Sequence, residues 1–139
     1  MTMLLIALLG VPVLDGAVKH ALRGRASRGY VSTGTSGSIR VVRHRLWLSL
    51  YASPSPVTTS ALLALAAVPL VMFGALVPSA ALFVGLLIGG AFSNWLEQAV
   101  YGSVSDYICL RFWPAFNLAD AAITTGAAGI ALALWTLAS

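Results

Sequence analysis

The stretch VTTSALLALAAVPLVMFGALV, residues 57–77, carries no charged side chain over its whole length. A helix of about 20 apolar residues crosses a hydrocarbon core of roughly 30 Å, so this stretch is long enough to span a membrane. The whole chain has the same character, with 59% hydrophobic and 9% charged residues among 139. Soluble domains carry about 25% charged residues. The composition therefore predicts an integral membrane protein.

Three further apolar segments flank this one, and together they predict an all-α bundle of four transmembrane helices in a single membrane domain, residues 1–139. The expected spans cover about residues 3–18, 57–77, 80–99 and 117–137. Gly85 and Gly89 form a GxxxG pair in the third span, and Ala122 and Gly126 a similar pair in the fourth, which lets neighbouring helices approach closely. The first span could be a signal peptide instead, but no positive region precedes it, so we expect a retained helix.

A polar loop, residues 20–56, separates the first two spans. Residues 30–42 contain two β-prone runs around a glycine-bounded turn, which predicts a small extramembrane hairpin. The following RHRLWLSLY, residues 43–51, mixes cations with leucine and tryptophan, as interfacial segments do. Seven of the eight basic residues lie between Lys19 and Arg45, beside an apolar segment. Membrane lipids are therefore the expected anionic partner, and no motif indicates nucleic acid.

The acidic residues are few, and three of them are expected to meet. The chain contains only Asp15, Glu97, Asp106 and Asp120. An even number of crossings separates the first loop from the loop after span three, so both loops face the same side of the membrane. Asp15, Asp106 and Asp120 can therefore converge there with Asn94 and Asn117.

Two interpretations of Asp106 and Asp120 stay open. In the structural one, Asn117 is a helix N-cap, Asp120 is the third helical residue that completes the cap, and Asp106 is an ordinary loop residue. In the functional one, two close carboxylates in a low-dielectric site cannot both ionise, so one is an acid and the other a base. Such a pair can activate water and protonate a departing amine, the chemistry of aspartic peptidases. Ionisable groups inside a membrane bundle favour a functional role.

No metal site or competing catalytic pattern stands beside these carboxylates. The sequence has no cluster of metal ligands, no glycine-rich phosphate loop and no Ser/His/Asp order. His20 and His44 lie in the basic loop, where we expect solvated rather than ligating side chains. The single Cys109 excludes an intramolecular disulfide.

Two segments resemble a known family. They are GGAFSNWLEQAVYGSVSDY, residues 89–107, and PAFNLADAAI, residues 114–123. This order resembles signal peptidase II, the lipoprotein signal peptidase family, which has an Asn-ending turn, an Asp-Arg pair, Gly-x-Val-x-Asp and Phe-Asn-x-Ala-Asp. The matching positions are Asn94, Gly102, Val104, Asp106, Phe116, Asn117, Ala119 and Asp120. Asp15 with Lys19 is similar to the family's Asp-x-x-x-Lys at the end of its first helix.

The resemblance implies an activity and a role for each matching residue. The family removes signal peptides from diacylglyceryl-modified prolipoproteins at the cell membrane, without a cofactor or a metal. Asp106 and Asp120 would be the catalytic dyad. The residues that bind substrate or position the dyad would be Asn94, Asn117, Asp15 and Lys19. The first-loop β structure would cradle the lipid-modified substrate, and we expect a monomer.

Four departures from the family pattern favour an alternative. Glu97 and Gln98 stand where the family has Asp-Arg, which removes a guanidinium, and Ser93 replaces a glycine. The family's Asn-x-Gly-x-Ala-Phe motif is missing, and the connection between the two aspartates is shorter. The alternative is a degenerate relative that binds lipidated peptides or a membrane partner without cutting. A plain bundle with Asp120 as a helix cap is the third possibility.

The distribution of charge conflicts with the orientation that the family implies. All eight Lys and Arg residues lie in the two loops that the family places outside the cytoplasm. The positive-inside rule predicts the opposite orientation. We expect the family orientation, with an inverted or dual topology as the alternative.

Overall fold

The computed structural model describes residues 1–26, 42–44, 56–110 and 113–139. Its helices are α1 (Thr2–Ala26), α2 (Pro56–Leu76), α3 (Ala81–Tyr101) and α4 (Leu118–Ala138). A short 3-10 helix, Pro78–Ala80, joins α2 to α3. In this part of the chain, four helices are long and apolar enough to cross a membrane. The predicted membrane-length helices are therefore confirmed, whereas a single domain over residues 1–139 stays a prediction.

Short strands connect the two loops at one end of the helices. Strand β1 (Val42–His44) pairs antiparallel with β2 (Val104–Asp106), and Val42 lies opposite Asp106. A second two-stranded sheet joins β3 (Ile108–Leu110) to β4 (Trp113–Phe116). The first loop and the loop after α3 therefore lie on the same side, as the number of crossings predicts. The hairpin predicted for residues 30–42 lies almost entirely outside the described residues and stays a prediction.

Helix α3 lies between α1 and α4, and small residues set the distances between these helices. A Cβ atom at Gly85 would meet the backbone oxygen of Leu4 and lie 2.9 Å from Ala7 Cβ on α1. A Cβ atom at Gly126 would lie 2.6 Å from the backbone oxygen of Phe83 on α3. Both distances are too short for a side chain. The small-residue pairs are therefore helix contacts, as predicted.

The outward faces of the helices are apolar, and the buried faces near the loops carry the polar residues. Large side chains such as Leu65 and Trp135 are exposed, at 73% and 74%. Asp15, Lys19 and Asn94 are buried. This is the reverse of a soluble bundle, because hydrocarbon solvates the apolar faces and the polar groups must find partners inside. The polar interior marks the candidate site.

Gly102 directs the chain from α3 into the site. Its φ angle of +71° lies in the left-handed region, where a residue without a Cβ atom is unstrained. Its backbone N–H donates to the carbonyl oxygen of Gln98 at 2.9 Å, which closes the last turn of α3. The chain then enters β2, which ends at Asp106. The glycine of the Gly-x-Val-x-Asp motif thus determines where that aspartate lies.

We expect Gly85→Ala to lower the free energy of unfolding by about 1–3 kcal/mol, because the added methyl group overpacks the contact between α1 and α3. Gly10→Ala on α1 is the matched control, since a Cβ atom there meets nothing within 4 Å. That substitution should be neutral or stabilise by up to about 1 kcal/mol through helix propensity. Denaturant titration of both variants in detergent measures the difference. Equal effects of the two substitutions would contradict the close approach.

Candidate functional site

The first turn of α4 is closed by a capping box. The Oδ1 atom of Asn117 accepts a hydrogen bond from the backbone N–H of Asp120 at 2.9 Å. In return, Asp120 Oδ2 accepts one from the backbone N–H of Asn117 at 3.0 Å. This confirms the structural interpretation of these two residues as N-cap and third helical residue. The cap leaves Asn117 Nδ2 and Asp120 Oδ1 free to bond elsewhere.

The same asparagine side chain connects the cap to Asp106. Asn117 is fully buried, and its Nδ2 atom donates to Asp106 Oδ1 at 2.9 Å. Asp106 ends β2 and is 3% exposed, whereas Asp120 is half-buried. One amide therefore contacts the carboxylate of Asp106 and the backbone of Asp120, so it fixes their relative position. The capping role of Asn117 therefore does not prevent its side chain from contacting Asp106 as well.

Asn94 on α3 contacts the other oxygen of Asp120. Its Nδ2 atom donates to Asp120 Oδ1 at 2.8 Å, and its Oδ1 atom accepts from Lys19 Nζ at 3.1 Å. An ammonium group only donates hydrogen bonds, so the amide oxygen must face Lys19 and the amide nitrogen must face Asp120. Lys19 therefore determines the orientation in which Asn94 meets the aspartate.

Asp15 on α1 accepts hydrogen bonds from three other parts of the fold. Its carboxylate is fully buried, and Oδ2 lies 2.5 Å from Lys19 Nζ, one helical turn away. Ser93 donates to the same oxygen at 2.7 Å. Oδ1 accepts from the hydroxyl of Tyr107 at 3.1 Å and from the backbone N–H of Ala119 at 3.3 Å. These contacts tie α1 to α3, to α4 and to the segment after Asp106.

Glu97 completes a cluster of compensating charges. Its Oε2 atom lies 2.8 Å from Lys19 Nζ. Its Oε1 atom accepts hydrogen bonds from the guanidinium of Arg23 and, at 3.1 Å, from the backbone N–H of Ser105. Two carboxylates, Asp15 and Glu97, thus face two cations, Lys19 and Arg23. Buried charges persist only when they are paired and hydrogen-bonded in this way.

The structure brings together all six residues that the sequence predicts for the site. One connected set of contacts contains Asp106, Asn117, Asp120, Asn94, Lys19 and Asp15. Within the described ranges, no group of three or more His, Cys, Asp or Glu side chains is placed to hold a metal ion. The arrangement offers two carboxylates beside amide donors, which suits proton transfer.

Four further residues are connected to this set but are not predicted for the site by the sequence: Ser93, Glu97, Arg23 and Tyr107. For Arg23 a signal existed, because residues 15, 19 and 23 recur at four-residue spacing and share one face of a helix. Glu97 stands where the family has the aspartate of its Asp-Arg pair, and it is salt-bridged to two cations. Ser93 replaces a glycine of the family pattern, and its hydroxyl group donates to Asp15.

Tyr107 directly follows Asp106 and is buried, at 6% exposure. Its hydroxyl group donates to Asp15 and accepts a hydrogen bond from the backbone N–H of Leu118 at 3.0 Å. Burial raises the pKa of this phenol well above its usual range, and the carboxylate of Asp15 adds to the rise. The phenol therefore stays protonated and keeps donating to Asp15.

We expect Tyr107→Phe to lower the free energy of unfolding by about 1–3 kcal/mol, because the N–H of Leu118 loses its acceptor and Asp15 loses a donor. The raised pKa of Tyr107 also predicts a pH dependence. An unfolded tyrosine ionises above about pH 10, while the folded one stays neutral, so stability must fall as the pH rises through that range. Comparing unfolding at pH 8 and pH 11 should show a smaller fall in Tyr107→Phe. Tyr101→Phe, at an exposed position, is the control and should keep the full fall.

Comparison with known proteins agrees with this geometry. A sequence model of the family "Signal peptidase (SPase) II" matches residues 7–136. A lipoprotein signal peptidase of Halothermothrix orenii is 49% identical over 51 residues, which cover 37% of this chain and 35% of that protein. A second, from Syntrophomonas wolfei, is 48% identical over 60 residues, which cover 43% of this chain and 39% of that protein.

The matched segments therefore span little more than a third of the length of these curated relatives. A solved structure, described as a bacterial membrane enzyme at 2.3 Å resolution, superimposes with a TM-score of 0.77 at 20% identity. That superposition covers 100% of this chain and 91% of the other, and it shows that the two share a fold. Because the family model covers nearly the whole chain, this protein belongs to the signal peptidase II family.

Proposed function

We propose that this protein is an intramembrane aspartic endopeptidase that removes signal peptides from diacylglyceryl-modified prolipoproteins. The observation that carries the proposal is the dyad geometry: the side chain of Asn117 contacts both the carboxylate of Asp106 and the backbone of Asp120. Membership of the signal peptidase II family supports it, as do the relatives named lipoprotein signal peptidase.

In the proposed mechanism the two aspartates share the proton transfers. One carboxylate removes a proton from a water molecule, whose oxygen attacks the peptide carbonyl carbon. The tetrahedral intermediate then collapses, the C–N bond breaks, and the other carboxyl group gives its proton to the departing amine. Either aspartate can be the initial acid in this scheme, so neither is assigned that role. Asn94 and Asn117 hold the dyad through their amide groups.

An apolar groove is consistent with the proposal that the substrate carries a lipid. It lies between α2 and α3 and has a volume of about 290 Å³. Its walls are almost entirely aliphatic and aromatic, and Ser60 and Trp95 are among the lining residues. Trp95 directly follows Asn94, which contacts Asp120. An acyl chain attached beside the scissile bond could lie in this groove while the peptide meets the dyad.

The test is cleavage of a diacylglyceryl-modified prolipoprotein by the purified protein in detergent, followed by mass spectrometry of the products. We expect one cut immediately before the lipidated cysteine and none in the same prolipoprotein without the lipid. Binding without cleavage by folded protein would instead support the second candidate, a non-cutting relative. The replacement of the family's Asp-Arg pair by Glu97 and Gln98 favours that candidate.

We further propose that the protein lies in the cell membrane with the dyad on the outer side. The N-terminal end of α1 and the C-terminal end of α4 would then lie on the cytoplasmic side. A reporter that is active only in the cytoplasm, fused after Ser139, should then be active. The same reporter inserted into the loop between α1 and α2 serves as the matched control and should be silent. The opposite pattern would mean that the basic loops follow the positive-inside rule.

A further inference from the structure

We propose that Arg23 is a positioning residue for Asp106. The proposal rests on the proposed function, because positioning has a consequence only if Asp106 takes part in the reaction. Arg23 lies on α1, one turn after Lys19, and its side chain is 20% exposed. It therefore acts from a different helix than the one that carries the family's Asp-Arg pair.

Three contacts hold the Arg23 side chain in place. A guanidinium nitrogen, Nη2, is ion-paired with Glu97 Oε1, and the same nitrogen donates to Ser105 Oγ at 3.3 Å. The guanidinium carbon lies 3.7 Å from the centre of the Tyr101 ring, within the range of a cation–π contact. A planar cation with several donors can make these contacts at once, whereas an ammonium group acts as a point charge.

These contacts extend to the strand that carries Asp106. The side chain of Ser105 accepts from Arg23, its backbone N–H donates to Glu97 at 3.1 Å, and its backbone oxygen accepts from Asn117 Nδ2 at 3.4 Å. Ser105 is therefore held by groups from α1, α3 and the cap of α4. Asp106 is the next residue of β2, so displacement of Ser105 would move its carboxylate relative to Asn117.

Gln98, which follows Glu97, makes a different contact from Arg23. Its Nε2 atom donates to the backbone oxygen of Gly102 at 3.0 Å, which stabilises the end of α3. Glu97, by contrast, takes its guanidinium from Arg23 and its ammonium from Lys19. Both cations that pair with Glu97 therefore come from α1.

The test compares Arg23→Met, Glu97→Gln and the double variant in cleavage of the lipidated prolipoprotein. We expect Arg23→Met to lower kcat by roughly 10- to 100-fold with little change in KM, because a shift of about 1 Å in a catalytic group has an effect of this size. The double variant should be no worse than the more impaired single one, since residues that act as a unit are non-additive. Arg23→Lys should recover only part of the rate.

Arg25→Met, which removes a charge two residues further along the chain, is the matched control and should keep the parent's kcat. An unchanged kcat in folded Arg23→Met, or losses that add in the double variant, would overturn the proposal. If Arg23→Met does not fold, Arg23→Lys replaces it in the test, and full activity of Arg23→Lys would overturn the proposal. Should the parent protein not cleave at all, the proposed function fails. The melting temperatures of the same variants then test whether Arg23 and Glu97 interact. If the shifts of the two single variants add up to the shift of the double variant, the two residues are not coupled.

Discussion

Asp106→Asn and Asp120→Asn are each expected to lower the rate of prolipoprotein cleavage by about 10²- to 10⁴-fold, the usual contribution of a positioned acid or base. An amide is similar in size to a carboxylate but can neither take a proton from water nor give one to the amine. Asp106→Asn also places an amide beside the Asn117 Nδ2 donor. Single-turnover cleavage by the folded variants in detergent measures the loss.

The control must separate catalysis from helix capping, because Asp120 completes the cap of α4 in the structure and is also a member of the proposed dyad. A capping role alone predicts normal cleavage and little loss of stability, because asparagine keeps an oxygen that accepts from the backbone N–H of Asn117. Thr124→Ala is the matched variant, since the hydroxyl of Thr124 donates to the backbone oxygen of Asp120 on an exposed face. We expect it to cleave normally. Full activity of folded Asp120→Asn would mean that Asp120 is only a cap.

Lys19→Met is expected to lower the free energy of unfolding by about 3–5 kcal/mol, because it leaves buried carboxylates without their shared cation. Asp15 is fully buried and Glu97 nearly so, and each lies within 2.8 Å of Lys19 Nζ. Methionine keeps most of the side-chain volume, so the loss reports on charge rather than on packing. The same change removes the donor that orients Asn94, so cleavage should also fall.

The measurement is denaturant titration in detergent, with His20→Met as the matched control. His20 follows Lys19 directly but is exposed, so its replacement should change the free energy of unfolding by no more than about 0.5 kcal/mol. If both variants unfold alike, the cluster around Lys19 contributes nothing to stability. The buried ion pairs would then be no stronger than exposed ones.

The four helices could be predicted because the membrane imposes a simple rule. A helix that crosses hydrocarbon must be long and apolar, and residues 57–77 meet that condition without reference to any other part of the chain. The capping role of Asn117 and Asp120 depends on residues three positions apart, so it too was open to local reasoning. The convergence of Asp15 with Asp120 followed from counting crossings, which needs only the number of helices.

The partners of the buried charges were beyond local reasoning. Lys19 and Asn94 are 75 positions apart, and Arg23 and Glu97 are 74 apart. Spacing along the chain places Lys19 and Arg23 on one face of α1, but only the packing of α1 against α3 decides which carboxylate that face meets. The burial of Tyr107 could not be predicted locally either. An aromatic residue near the edge of a membrane lies in lipid or inside the protein depending on which other segments pack against it. Apolar length is a property of one segment, whereas ion pairing in a buried site depends on how several segments pack together.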